Sequence, residues 1–202
     1  VTVGTEPKQD RSRATRRRLL DTTVRCLATH GWESATVGLI AAETGISRGA
    51  VQHHFPTREA LIVAALRHMF DERMALLDAI AEPDPGHAGA ERVHAIVSQI
   101  VDLMGGELFK AALQVWTAAA ADADLRTTVV PLERHFGRAA HARVVRLLGV
   151  DDSDPQLRGL VQATLDLARG LALADVLTDD SRRRAWVVRA WSDRLADALE
   201  PS

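Results

Sequence analysis

The chain has no tyrosine, and with four phenylalanines and four tryptophans its aromatic content is only 4% of 202 residues. Strands are enriched in aromatic and β-branched residues, and no sustained period-2 alternation bounded by hairpin dipeptides is present, so a sheet has little support. The one cysteine, Cys26, excludes an intrachain disulfide and the multiple thiolates of a Cys-rich zinc or iron–sulfur site. A reducing, cytoplasmic setting fits. No uninterrupted apolar run approaches the roughly 18 residues that span a bilayer, so no membrane partner is expected. The arginines at 11–18 resemble the charged start of a secretion signal, but Asp21 follows Leu19-Leu20 directly. That leaves no apolar stretch of about 7–15 residues.

Hydrophobic residues at 47% and charged residues at 26% place the chain near the globular average, with enough length for a sizeable core. The net charge of −2 is unevenly spread: residues 1–58 carry nine Lys and Arg against five acids, a local +4, and the remainder carries −6. A small basic end on an acidic body suggests that only the first part meets a polyanion, although a scattered surface pattern gives the same count.

Helical periodicity runs throughout. Leu20, Val24, Leu27 and Ala28 stand at i, i+4, i+7 and i+8, with Arg17, Arg18 and Arg25 opposite, until Gly31 stops the segment. Two short segments follow, Val37–Thr44 and Arg48–His54, separated by Gly45-Ile46-Ser47. Thr36 and Ser47 suit N-cap positions and Gly45 a left-handed C-cap, which together describe a helix-turn-helix. Thr57 is placed to cap a helix running to Ala81, which Glu82-Pro-Asp-Pro-Gly86 breaks. Further helices are read over Ala88–Met104, Glu107–Ala121, Asp124–Leu148, Pro155–Leu177 and Ser181–Leu199. Pro131 either kinks the Asp124 helix or marks its first turn. The expectation is an all-α chain of about nine helices.

The residues from 15 to about 66 resemble the DNA-binding domain of the TetR family of transcriptional regulators. The likeness rests on Thr15-Arg16, Leu19-Leu20-Asp21, Leu27-Ala28, Gly31-Trp32, Thr36-Val37, Ile40-Ala41, Gly45-Ile46-Ser47, Gly49, Val51, His54-Phe55 and Arg58-Glu59-Ala60-Leu61 in unbroken spacing. It covers about a quarter of the chain. It implies a flexible basic arm over 1–14, a helix-turn-helix domain over 15–60, and a helical regulatory and dimerisation domain over 61–202.

Within that framework Ile40, Ile46 and Val51 are apolar where they bury against the first helix, and Ala41 is small where two helices approach. Arg48, Gln52 and His53 are polar on a helix of about two turns, which stands only by packing and so presents its polar face to a major groove. Arg pairs with guanine and Gln with adenine through two hydrogen bonds each. Thr36, Ser47, Gly49, Thr57 and Arg58 stand at or near helix N-termini suited to phosphate, Arg16 extends the basic face, and His54 can donate to phosphate. The resemblance marks three departures: Gln52 replaces the family's usual tyrosine, Pro56 follows Phe55 directly, and Arg58 replaces the usual lysine. A metal role for His53-His54 is poorly supported, since adjacent helical residues point about 100° apart.

The rest of the chain is expected to dimerise and to sense. Leu160, Thr164, Leu167, Ala168 and Leu171, with Trp186, Trp191 and Leu195, suggest a two-fold four-helix interface, the alternative being that the last two helices form the monomer's own core. Met69, His94, Met104, Phe109, Trp116, Thr117 and Phe136 are candidate pocket residues for an apolar or amphipathic small-molecule effector. The partners are then a palindromic double-stranded DNA operator, a second copy of the chain, and that effector.

An enzyme finds little support. Asp151-Asp152-Ser153-Asp154 lacks the glycine and terminal glutamate of a calcium loop, Cys26 has no evident base, and no phosphate-cradling loop or nucleophile elbow occurs. No catalytic residue, metal or cofactor is expected. The reading is a homodimeric regulator, a repressor by the resemblance, released from DNA by a ligand. The alternatives are a helical dimer acting as a protein-interaction module, or a regulator that needs a corepressor.

Overall fold

A computed structural model describes residues 8–199 other than Pro85 and His87. The described residues form nine helices and no strand: α1 (Lys8–Ser34), α2 (Val37–Thr44), α3 (Arg48–His54), α4 (Arg58–Asp78), α5 (Gly89–Leu103), α6 (Gly106–Ala121), α7 (Ala123–Leu148), α8 (Pro155–Ala174) and α9 (Ser181–Leu199). The fold is all-α, as the periodicity predicts. Contacts divide it into two units, residues 1–71 with 110–132 and residues 72–109 with 133–202, and the divisions fall inside α4, α6 and α7.

The first unit is organised around α1. Leu19, Leu20, Val24 and Leu27 are buried, as are Ile40 and Val51 from the two short helices and Leu61, Ile62, Ala65 and Leu66 from α4. Helix α1 carries on past its expected stop, because Gly31 takes φ 79° and ψ 174° and one more turn follows the kink to Ser34. It also begins at Lys8. Of the arm expected over 1–14, residues 1–7 lie outside the described residues, and from residue 8 the backbone is helical, which corrects the flexible reading there and puts Arg11 and Arg13 on α1. Side-chain hydrogen bonds tie the helices laterally: an Arg18 Nη2 donates to the Thr44 carbonyl, and His68 Nε2 meets Asp21 Oδ1 at 2.5 Å.

In the second unit α5 presents Val93, Ile96, Val97, Ile100 and Val101, all buried, and packs with α8 and α9. Here Thr164, Ala168, Leu171 and Leu195, expected at a subunit interface, are corrected to core positions: all four are buried within the chain itself. The physical reason is that α8 meets both α5 and α9, so its wide apolar face is used inside one protomer. Trp191 Nε1 donates to Thr164 Oγ1 at 3.0 Å, closing the α8–α9 seam. Leu160, Leu167 and Trp191 are partly covered, whereas Trp186 is 71% exposed.

Two helices end earlier than periodicity suggests. Helix α4 ends at Asp78 rather than Ala81 because the Gln99 amide takes both backbone groups of Ala81, its Oε1 accepting from N–H at 3.1 Å and its Nε2 donating to C=O at 3.3 Å. Helix α8 ends at Ala174 rather than Leu177, the chain turning so that Asp175 Oδ1 accepts from the Asp180 N–H at 3.1 Å. Pro131 lies inside α7, eight residues past its start. No helix of the described residues is long and apolar enough to cross a membrane.

Candidate nucleic-acid interface

Local chemistry builds the α2–α3 pair as its sequence requires. Thr36 Oγ1 accepts from the Leu39 N–H at 3.2 Å and Ser47 Oγ from the Ala50 N–H at 3.2 Å, so each short helix starts on a side-chain cap. Gly45, at φ 66° and ψ 21°, closes α2, and the Ile46 N–H returns to the Ala41 carbonyl at 3.1 Å. Val51 is fully buried and anchors α3 from beneath. That leaves Ser47, Arg48, Gly49, Gln52 and His53 exposed on its outer side, with His54 half-buried against Phe55.

The surrounding cations are placed by aromatic contacts. The Arg16 guanidinium, exposed on α1, lies over the Phe55 ring at 5.1 Å and so joins the basic face of α1 to the end of α3. Thr57, also exposed, accepts from the Ala60 N–H at 3.1 Å and caps α4. Arg58 behaves differently from its expected phosphate role. Its Nε donates to the Ala35 carbonyl at 3.0 Å and its Nη2 to the Trp32 carbonyl at 2.6 Å, while the guanidinium lies over the Trp32 ring at 5.1 Å. The side chain therefore braces the α1–α2 junction.

Residue-by-residue reading missed Gly38. An ideal Cβ built there would stand 2.6 Å from Arg48 Nη2 and 3.2 Å from its Cζ, so the bare backbone of α2 gives the Arg48 guanidinium its resting place. The available signal was a glycine inside a helix otherwise free of turn residues.

The candidate pocket residues are divided between the two units. Met69, Trp116 and Thr117 belong to the first unit, and His94, Met104, Phe109 and Phe136 to the second. Met69, Met104, Phe109 and Phe136 are buried, and Thr117 is exposed with its hydroxyl donating to the Leu113 carbonyl. Two of them cover a residue that periodicity passed over: Arg73 is 2% exposed, 3.8 Å above the Phe136 ring, 3.9 Å from Met104 Sδ and 3.5 Å from Glu133 Oε1. Burial pulls its guanidinium below the usual range and the Glu133 carboxylate pushes it back up. Its signal in the sequence was position, four residues from Met69 and four from Leu77 on the core stripe. His94 lines a separate cavity of about 210 Å³ with Ser98, Asp102, Ser181 and Arg184. Cys26 is buried, which raises its thiol pKa, with Glu43 adding to the effect, and the thiolate is disfavoured.

Residues 19–65 match the family model described as bacterial regulatory proteins, tetR family. Over 197 residues the chain is 25% identical to the HTH-type transcriptional regulator BetI of Brucella suis biovar 1, covering 98% of this chain and 94% of that protein. An HTH-type transcriptional repressor of Mycobacterium tuberculosis is 43% identical over 67 residues, 33% of this chain and 35% of that one. Among solved structures, a tetR-family transcriptional regulator from Streptomyces coelicolor superposes with a TM-score of 0.70 at 25% identity, covering 93% of this chain and 80% of the other.

Proposed function

Because this chain belongs to the TetR family of bacterial regulatory proteins, we propose that it acts as a homodimeric cytoplasmic repressor that a small ligand releases from a palindromic operator. The observation that carries the DNA-reading part is the exposed polar face of α3, with Arg48 and Gln52 one turn apart on a helix fixed by the Ser47 cap and the buried Val51. Residues 15–60 are the reading domain in this proposal, and residues 61–202 dimerise and sense.

Roles are assigned by chemistry. Arg48 and Gln52 read base edges, with Gly49 and His53 beside them. Thr36, Ser47, His54 and Thr57 take the backbone, and Arg16 adds positive charge alongside. At the start of α4 the phosphate contact falls to main-chain N–H groups of its first turn, since the Arg58 guanidinium is engaged at Trp32 and Ala35. A ligand releases the operator only if it binds the two arrangements of the dimer with different affinity, and the proposed effector is apolar or amphipathic.

Selection of bound sequences from random duplex DNA, followed by titration of the winner and a scrambled control at two salt concentrations, tests this reading. The expected result is an enriched palindrome bound at least a thousandfold more tightly than the scramble, with affinity falling as salt rises. A folded protein that enriches no sequence at either salt overturns it and favours a helical interaction module.

A further inference from the structure

The seam between α5 and α9 carries an acid on α5 and an arginine on α9 at both of its ends, and closes the pair at only one. Glu91, in the first turn of α5, meets Arg189 at 3.1 Å. Near the other end Asp102 and Arg184 line one cavity of about 210 Å³, and no ion pair joins them among the described residues. Asp102 is exposed at the rim and Arg184 half-buried. Nearby acids do not take up Arg184: Asp180 holds Arg183, and the Asp179 carboxyl sits below its ordinary range through bonds from the Ser181 N–H and hydroxyl, with Arg184 contributing least.

A second, independent feature marks the same cavity. His94 lines it, and its Nδ1 is buried without a hydrogen-bond partner. Buried polar atoms are nearly always paired, so this nitrogen keeps bonding capacity that the fold itself does not use. His94, Ser98 and Asp102 recur every four residues and so share one stripe of α5, while Val101 and Val188, both buried, give the lining an apolar part. The exposed Trp186 lies about 200° round α9 from Arg184, so the cavity is separate from that outward patch.

A carboxylate and a guanidinium held apart over an apolar surface match a zwitterion. The guanidinium fork donates to a carboxylate, and an ammonium has three donors, enough for a carboxylate, a hydroxyl and an imidazole nitrogen. A simple anion leaves Asp102 unanswered, and a simple cation leaves Arg184 so. We propose that the cavity binds a small α-amino acid with a short apolar side chain, its carboxylate on Arg184 and its ammonium between Asp102 and His94. At about 30 Å³ for each water-sized group the volume takes roughly seven, which suits alanine and excludes an aromatic side chain. The site needs neither DNA nor a second copy and goes beyond the regulator reading.

Isothermal titration of the full chain with L-alanine, using propionate and ethylamine as its two halves, tests the site. Saturable one-site binding of L-alanine is expected, with each half at least tenfold weaker. Asp102→Asn and Arg184→Gln, neither of which removes a side-chain hydrogen bond of the described structure, are each expected to weaken L-alanine at least tenfold. Arg189→Gln, which opens the Glu91 end of the seam, is expected to leave its affinity unchanged. The nitrogen resonance of His94 Nδ1 should shift as the wild type saturates. No saturable binding of L-alanine, a half-ligand that binds as tightly, equal binding by Asp102→Asn or Arg184→Gln, or an unmoved His94 resonance each overturns the proposal.

Discussion

At the scale of single residues, the interface depends on two side chains whose partners lie far away in sequence. Replacing Gly38 by Ala puts a Cβ 2.6 Å from Arg48 Nη2 and forces that flexible side chain off α2. Alanine is the better helix former by about 1 kcal/mol, so Gly38→Ala is expected to leave the melting temperature unchanged or higher while operator affinity falls by up to about 1–3 kcal/mol. Unaltered affinity in a gel-shift titration would separate Arg48 placement from Gly38. Arg58→Ala removes two hydrogen bonds and an indole contact from a half-buried guanidinium. After discounting for solvent, a loss of about 1–2 kcal/mol in stability is expected, with the salt slope of DNA binding unchanged. A slope reduced by about one would return the guanidinium to phosphate. Neither partnership was legible beforehand, because sequence spacing along a helix says which residues share a face but not which distant carbonyl or bare glycine that face will meet.

At the scale of elements, what is local was legible and what is tertiary was not. Thr36, Ser47 and Thr57 cap α2, α3 and α4 as read, and Gly45 turns as read, because a cap needs only atoms within three residues. The ends of α4 and α8 moved by three residues each, at Ala81 because of Gln99, which arrives from α5. The loop before α8 shows a further tertiary effect. Asp152 accepts from His141 Nε2 at 2.7 Å with Arg158 Nε 3.5 Å away, and the His141 hydrogen bond holds its carboxyl below the usual carboxylate range. Asp151 is lowered as well, by bonds from the Ser153 N–H and hydroxyl. A pKa lower in the folded than in the unfolded state stabilises above the unfolded value of about 4, and that contribution disappears as pH falls through the folded value. The α7–α8 connection is therefore expected to loosen only in acid below about pH 4. Carboxyl chemical shifts followed by NMR should show Asp152 titrating low in the wild type and returning toward its ordinary range in His141→Ala. An unchanged midpoint in that variant would break the assignment.

At the scale of the whole molecule, the apolar residues left over after the second unit has packed are where the proposed dimer would place its second copy. Thr164, Ala168, Leu171 and Leu195 were natural candidates because hydrophobic content alone cannot say which neighbour consumes it. Their burial leaves Leu173 at 52%, Leu177 at 89% and Trp186 at 71% exposure as the large outward side chains of α8, its exit and α9. The single chain does not hide these, and in the proposed two-fold dimer a patch centred on them would be buried once from each protomer. If a central tryptophan contributes about 2 kcal/mol or more, symmetry doubles the loss, so Trp186→Glu is expected to weaken self-association about a thousandfold. Sedimentation equilibrium across a concentration series measures that shift. The far-ultraviolet spectrum of the monomer should remain helical, since residue 186 supports nothing in its own core. Leu171→Glu, at 3% exposure, is expected to unfold the unit instead. DNA binding supplies the second reading of the same variant: a Trp186→Glu monomer should hold a full palindrome no more tightly than one half-site, because the spacing of two recognition helices exists only in the dimer. A Trp186→Glu chain that still sediments as a dimer would move the interface away from this patch, to a face made of the partly covered Leu160, Leu167 and Trp191.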